Sequence, residues 1–241
     1  MKKTKLSRAV AVVMTLALAL IIAGIPNSAL ADVTAVAITP GAGQSYTIPV
    51  GGTVDLTATP TGAPVGSLTY TWNNTTGGDY VHLSGTTGDT ITVTGMIPGT
   101  ATNITVTASD DGGPAPVTSN AVTINVVAMT ISNSALTLNG GAAQTLTVGN
   151  ISSANSNTVW SVPAGNNVAT VDAATGYVTA IGGGQVVVTA TNTPTTMGAV
   201  QTKTCTVTVN PIITITPVTQ NITTASTSTN IQLKVDYGGD L

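Results

Sequence analysis

Beyond its first 31 residues the sequence predicts an all-β chain of tandem antiparallel β-sandwiches. Two observations carry that expectation. Apolar and polar residues alternate with a period of two from Asp32 onward, and no long stretch shows the helical period. Turn-forming clusters such as "TPTGAPVG", "NNTTGGD" and "DDGGPAP" separate the alternating runs at short intervals. A third observation makes the sandwiches tandem: the whole pattern runs twice, each time with one tryptophan-bearing strand.

The first 31 residues read as a secretory signal peptide. Lys2, Lys3, Lys5 and Arg8 precede an apolar run from Ala9 to Gly24, Pro26 ends it, and Ala29-Leu30-Ala31 supplies the small-x-small cleavage pattern. The run is short for a bilayer span, so no membrane span is expected after cleavage. No cysteine lies near the cleavage point to take a lipid.

The first unit is placed at 32–127. It opens with "VTAVAITP" and continues in "TVDLTAT", with Val54, Leu56 and Ala58 inward. "LTYTW" follows with Leu68, Tyr70 and Trp72, then "NITVTAS" with Ile104, Val106 and Ala108, and "AVTINVV" closes it with Val122, Ile124 and Val126. The second unit is placed at 128–210: "AMTISNSALTL", "AAQTLTV", the Trp160 strand "NTVWSV", and a closing "TCTVTVN". Each tryptophan is expected between two sheets, the place where so large an apolar surface is best removed from water. Cys205, the single cysteine, shares a strand face with Lys203, Val207 and Val209 and reads as a small core residue that has no intrachain partner for a disulfide.

Residues 211–241 align with the start of the first unit, "IITITPVTQNITTASTSTNIQLKVDYGGDL" against "AVAITPGAGQSYTIPVGGTVDLTAT". They read as the opening strands of an incomplete third unit. Two strands bury too little to stand alone. The chain is therefore expected to be a fragment of a longer protein, or else to lend this hairpin to another subunit.

Charge excludes one class of partner. Four of the six basic residues lie in the leader, leaving Lys203 and Lys234 against nine aspartates, a net charge of −7, with no arginine and no glutamate. Nucleic-acid binding needs clustered Lys and Arg and is not expected. Strand edges are commonly shielded from foreign pairing by charge, which this chain nearly lacks.

The second unit carries a recognisable signature. Trp160-Ser161, Ala169-Thr170-Val171-Asp172, Thr175-Gly176, Val178-Thr179-Ala180 and Val188-Thr189-Ala190-Thr191 occur in the order found in the bacterial immunoglobulin-like domain, group 2, which residues 128–210 resemble. Residues 32–127 resemble the same class more loosely and lack that signature. The resemblance implies an immunoglobulin-like sandwich and a place outside the cell, as in surface adhesins, virion proteins and exported multi-module enzymes. In physical terms the signature reads as scaffold, with Gly176 free to take positive φ between two short strands.

Catalytic groups are sparse. His82 is the only histidine and reads as a surface strand residue. Asp110-Asp111 is the best acidic pair, but neighbours on extended backbone point apart; a solvated turn is preferred to a calcium site. Asp236 and Asp240 support the same idea less well. Lys203 has no identifiable acid beside it for a lysine–asparagine cross-link. N-x-S/T sequons at Asn73, Asn74, Asn103, Asn150 and Asn221 are expected by chance in so threonine-rich a chain. No catalytic, cofactor-binding or metal-binding residue is assigned, and no cofactor is expected.

These readings predict a secreted or cell-surface modular protein without catalytic activity. Its sandwiches would act as spacers and adhesion or interaction modules, meeting an extracellular protein or glycan, or neighbouring subunits through exposed strand edges. Two alternatives are a filament or surface-coat subunit assembled by strand donation, and an accessory region of an exported multi-module hydrolase.

Overall fold

The computed structural model describes residues 32–41, 45–64, 66–76, 79–111, 115–216 and 234–237. Among them there is no helix, and the secondary structure is all β. The signal-peptide reading of residues 1–31 falls outside them.

The first sandwich is built from β1 (Ala35–Thr39), β2 (Ser45–Pro49), β3 (Thr53–Thr61), β4 (Leu68–Asn74), β5 (Val81–Leu83), β6 (Thr90–Gly95), β7 (Gly99–Asp110), β8 (Val117–Thr118) and β9 (Val122–Val127). One sheet has the order β1-β3-β6-β5 and the other β2-β9-β7-β4, with the short β8 on β7. Its inward positions follow the alternation of the sequence: Val122, Ile124 and Val126 are buried in β9, and Ile104, Val106 and Ala108 in β7. Trp72 lies between the sheets at 1% exposure, and its indole N–H donates to the Gly88 carbonyl at 2.9 Å.

The second sandwich repeats the plan with β10 (Thr130–Ile131), β11 (Ala135–Asn139), β12 (Ala143–Thr145), β13 (Val148–Gly149), β14 (Ser156–Ser161), β15 (Ala169–Val171), β16 (Tyr177–Ala180), β17 (Gly184–Pro194) and β18 (Gln201–Asn210). β11-β18-β17-β14 form one sheet; the facing layer is split into β12-β16-β15 and β10-β13. Trp160 and Cys205 both lie in its core. Burial pushes the Cys205 thiol pKa up, as expected of a small core residue.

Two details depart from the strand list expected above. The stretch expected to open the second unit is two strands, and in the first unit a further strand, β2, follows the expected opening strand β1: β1 and β10 join the first layer, while β2 and β11 cross to the second. There β2 runs parallel to β9, with Tyr46 opposite Ile124, and β11 runs parallel to β18, with Leu136 opposite Val207. Each otherwise antiparallel sandwich thus contains one parallel pair. The crossing accompanies it: the strand that changes layers runs beside the closing strand in the same direction. In addition, "AAQTLTV" is broken into β12 and β13.

At the end of the chain, β19 (Ile213–Thr216) pairs antiparallel with β20 (Lys234–Tyr237). Ile215 faces Val235 and Thr216 faces Lys234. In the first sandwich Ile38 faces Ala58 and Thr39 faces Thr57. Under the sequence alignment given above these are the same pairs, so the tail repeats the β1–β3 register. Ile231, Leu233 and Asp240 lie outside the described residues.

Candidate interaction surfaces

The signature segment is structural. β15 and β16 are joined by the turn 172–177, closed by the Asp172 N–H donating to the Tyr177 carbonyl at 2.9 Å. The Asp172 carboxylate accepts from the Thr175 hydroxyl (2.8 Å), the Thr175 N–H (2.7 Å) and the Ala174 N–H (3.0 Å). These bonds, the Thr175 hydroxyl foremost, hold the Asp172 carboxyl below its ordinary pKa of 3.8. Gly176 has φ +70, and a Cβ there would lie 2.6 Å from both the Leu146 carbonyl and the Trp160 ring. Glycine is required twice over, by the left-handed backbone and by the close approach. The turn lies against the tryptophan through Gly176 and Ala173.

The same turn covers a strand edge. The Trp160 N–H donates to the Ala173 carbonyl (2.9 Å), and in the first sandwich the Trp72 N–H donates to the Thr86 carbonyl (2.8 Å). Thr71 forms a bridge with Thr87 beside it. β4 and β14 would otherwise be open edges of their sheets. At the tryptophan they are closed by backbone hydrogen bonds rather than by charge.

The most developed contact surface lies between the sandwiches. Two residues, Ala128 and Met129, link β9 to β10. Met129 is fully buried in the second core, its N–H donates to the Gln201 side-chain oxygen at 2.8 Å, and the Asn150 amide donates to the Ala128 carbonyl at 3.3 Å. The loop before β14 and the loop between β17 and β18 then reach back onto a corner of the first sandwich. The Ala199 N–H donates to the Met96 carbonyl (2.8 Å), and the Asn155 amide donates to the Gly51 carbonyl (3.3 Å). Packing there allows no side chain: a Cβ on Gly198 would lie 2.8 Å from Val50 Cγ1 and 3.0 Å from the Gly51 nitrogen. Sequence reading assigned no role to these glycines and asparagines and missed the junction. The available signal was the glycine at the same place in both units, Gly51 and Gly141.

The residues considered for chemistry are held apart. His82 is exposed on β5 opposite Thr94. Asp110 ends β7 and accepts from the Gly66 N–H at 2.8 Å, while the Asp111 N–H donates to the Ser67 carbonyl at 3.3 Å, so the pair ties two loops together. Lys203 is exposed near the start of β18, and Asp236 lies in β20. Asn73 and Asn103 are exposed, the Asn74 side-chain oxygen accepts from the Thr76 N–H, and Asn221 is outside the described residues. Among the described residues, no three of His, Cys, Asp or Glu come together as a metal site. No helix among them is long and apolar enough to cross a membrane.

No curated protein matches the chain. Solved structures similar to it include Drosophila N-cadherin EC1-4 (14% identity over 73% of this chain and 49% of that one, TM-score 0.30). Others are the extracellular domains 3-5 of Drosophila OTK (13%, 80% and 71%, TM-score 0.27) and the fibronectin(III)-like modules of Clostridium thermocellum CbhA (16%, 72% and 93%, TM-score 0.27). The chain thus spans about half the length of the N-cadherin structure, and likenesses at these scores carry no argument about function. The family comparison is specific: residues 125–207, the second sandwich with the end of β9, match the bacterial Ig-like domain (group 2).

Proposed function

We propose that the chain is the spacer and interaction part of an exported protein, secreted or held at the cell surface, with no catalytic role of its own. Its Ig-like sandwiches set a fixed distance and orientation between what lies before and after them, and they meet an extracellular protein or glycan through end loops. The order is 1–31 signal peptide, 32–127 and 128–210 sandwiches, and 211–241 the opening of a third unit. The observation that carries this reading is the junction. A spacer must transmit orientation, and here Met129 of the linker is buried and two loops are hydrogen-bonded across to Met96 and Gly51. Fixed interfaces of this kind oppose the independent motion that is the usual expectation for linked domains. The end of the first sandwich away from the junction, where β3 ends and β4 begins, is the one proposed to meet a ligand.

Residual dipolar couplings measured on residues 32–241 test the reading. One alignment tensor for both sandwiches is expected, and Gly198→Val should split it in two while each core keeps its own spectrum. Two unrelated tensors in the unsubstituted protein would remove the spacer role. Export is tested separately by the mass of the protein recovered from its native source, where Asp32 is the expected first residue and a retained Met1 would contradict it. Light scattering over a range of concentrations addresses the filament alternative, which requires polymers that vanish when residues 211–241 are deleted.

A further inference from the structure

The corner of the first sandwich that receives the second is repeated, bond for bond, at the far end of the second. In the first, the Gly51 N–H donates to the Gly95 carbonyl (2.8 Å), the Gly52 N–H to Pro49 (2.9 Å) and the Gly95 N–H to Gly52 (2.9 Å). In the second, the Gly141 N–H donates to the Ala180 carbonyl (3.2 Å), the Ala142 N–H to Asn139 (2.9 Å) and the Ala180 N–H to Ala142 (2.9 Å). Gly51 and Gly141 share φ +77. The two corners therefore present equivalent carbonyls: Gly51 and Met96 on one, Gly141 and Ile181 on the other.

Their occupancy differs. A Cβ on Gly51 would lie 3.1 Å from Pro194 Cβ and 3.2 Å from the Asn155 carbonyl, because the second sandwich fills that corner. Among the described residues, a Cβ on Gly141 would meet nothing within 4 Å. Among the described residues no donor reaches the carbonyls of Gly141 or Ile181. Ile181 and Ile212 stand beside them, 42% and 49% exposed. The link onward is also alike: Pro211 and Ile212 separate β18 from β19, as Ala128 and Met129 separate β9 from β10.

We infer that the corner formed by Gly140, Gly141, Ile181 and Ile212 is a docking seat for the end loops of another Ig-like unit, the one that β19 and β20 open. Its occupant supplies a backbone N–H to the Ile181 carbonyl and a side-chain amide to the Gly141 carbonyl, the two donors that Ala199 and Asn155 supply at the first junction. Its loop has a glycine where it crosses the seat, as Gly198 does. The inference deepens the spacer reading and rests on it: one kind of joint, used repeatedly, makes a rod of fixed direction.

The test is a chain in which residues 130–210 are repeated after Ile212, so that the seat keeps Ile212 and the added unit brings loops of known composition to it. The added unit is expected to share one alignment tensor with the sandwich before it. Ile181→Lys in the preceding unit should abolish the shared tensor while leaving that unit's thermal midpoint unchanged, because Ile181 is exposed. Gly141→Val is a second route to the same loss, with core chemical shifts as the check on folding. An added unit that tumbles independently without any substitution, or one that stays fixed through both substitutions, overturns the seat. Neither result touches the spacer reading, which is judged at the first junction with Gly198→Val.

Discussion

In the first sandwich β3 runs unbroken from Thr53 to Thr61, pairing with β6 through its first half and with β1 through its second. In the second sandwich the same stretch is divided. β12 pairs with β16, β13 pairs with β10, and Leu146 and Thr147 lie between them. Both sandwiches nonetheless make the same closing bond at the division point. The Ala58 N–H donates to the Asp89 carbonyl in one (2.7 Å), and the Leu146 N–H to the Gly176 carbonyl in the other (3.0 Å). The topology survives a break in the strand because the turn before β6 or β16 supplies the missing partner. The family signature is thus one way of building that turn. The first sandwich builds it differently, with its left-handed glycine at Gly88 and its tryptophan bonded to that residue's carbonyl.

Truncating the tryptophans should give the largest effects and show whether the units unfold separately. Trp72→Ala and Trp160→Ala should each cost their own sandwich about 3–5 kcal/mol. Trp72 stands at the upper end, since its loss also removes the indole bond to Gly88. Denaturant unfolding followed by residue-specific signals from each unit checks this; equal loss in both units from either substitution would mean one cooperative block.

The glycines of the two turns should separate more sharply. Gly176→Ala drives a methyl into the Leu146 carbonyl and the Trp160 ring at 2.6 Å, and should destabilise the second sandwich by about 3 kcal/mol. Gly88→Ala meets nothing closer than the Thr90 carbonyl at 3.7 Å, so only the left-handed backbone opposes it, at about 1 kcal/mol. Equal costs would mean that packing against the tryptophan does not set the turn.

Acid should sharpen the contrast further. The folded pKa of Asp172 is lowered, so its stabilising bonds are fully present above the ordinary 3.8 and are lost as pH falls through the folded value. The urea midpoint of the second sandwich should therefore drop at acid pH, and Asp172→Asn should remove that part of the drop without affecting the first. The smallest effect is expected at Cys205, where Cys205→Ala trims a buried atom for about 1 kcal/mol. The buried thiol should react with alkylating reagent only at the rate at which the second sandwich opens; fast labelling of the folded chain would place it outside the core.

Much of each sandwich was legible locally. Alternation placed Ile104, Val106 and Ala108 inward, put both tryptophans between sheets, and marked Gly176 as a positive-φ turn residue. The splitting of the opening strands was not legible, because a period of two says which side of a strand is buried but not which sheet the strand joins. Nor was the junction, which depends on Ala199 meeting Met96 and Asn155 meeting Gly51 across long separations in the chain.

The sequence by itself determined what local chemistry can encode: most strand positions, their buried faces, the turn at 172–177, the repeat of the unit, and a charge balance of two lysines against nine aspartates beyond residue 31. Tertiary structure alone decided which strands run parallel, where β12 parts from β13, and how the Gly51 corner is filled while no described residue fills the Gly141 corner. The physical reason is that periodicity and turn propensity act over a few residues. Pairing partners and domain contacts are chosen by backbone groups brought together only when the whole chain has folded.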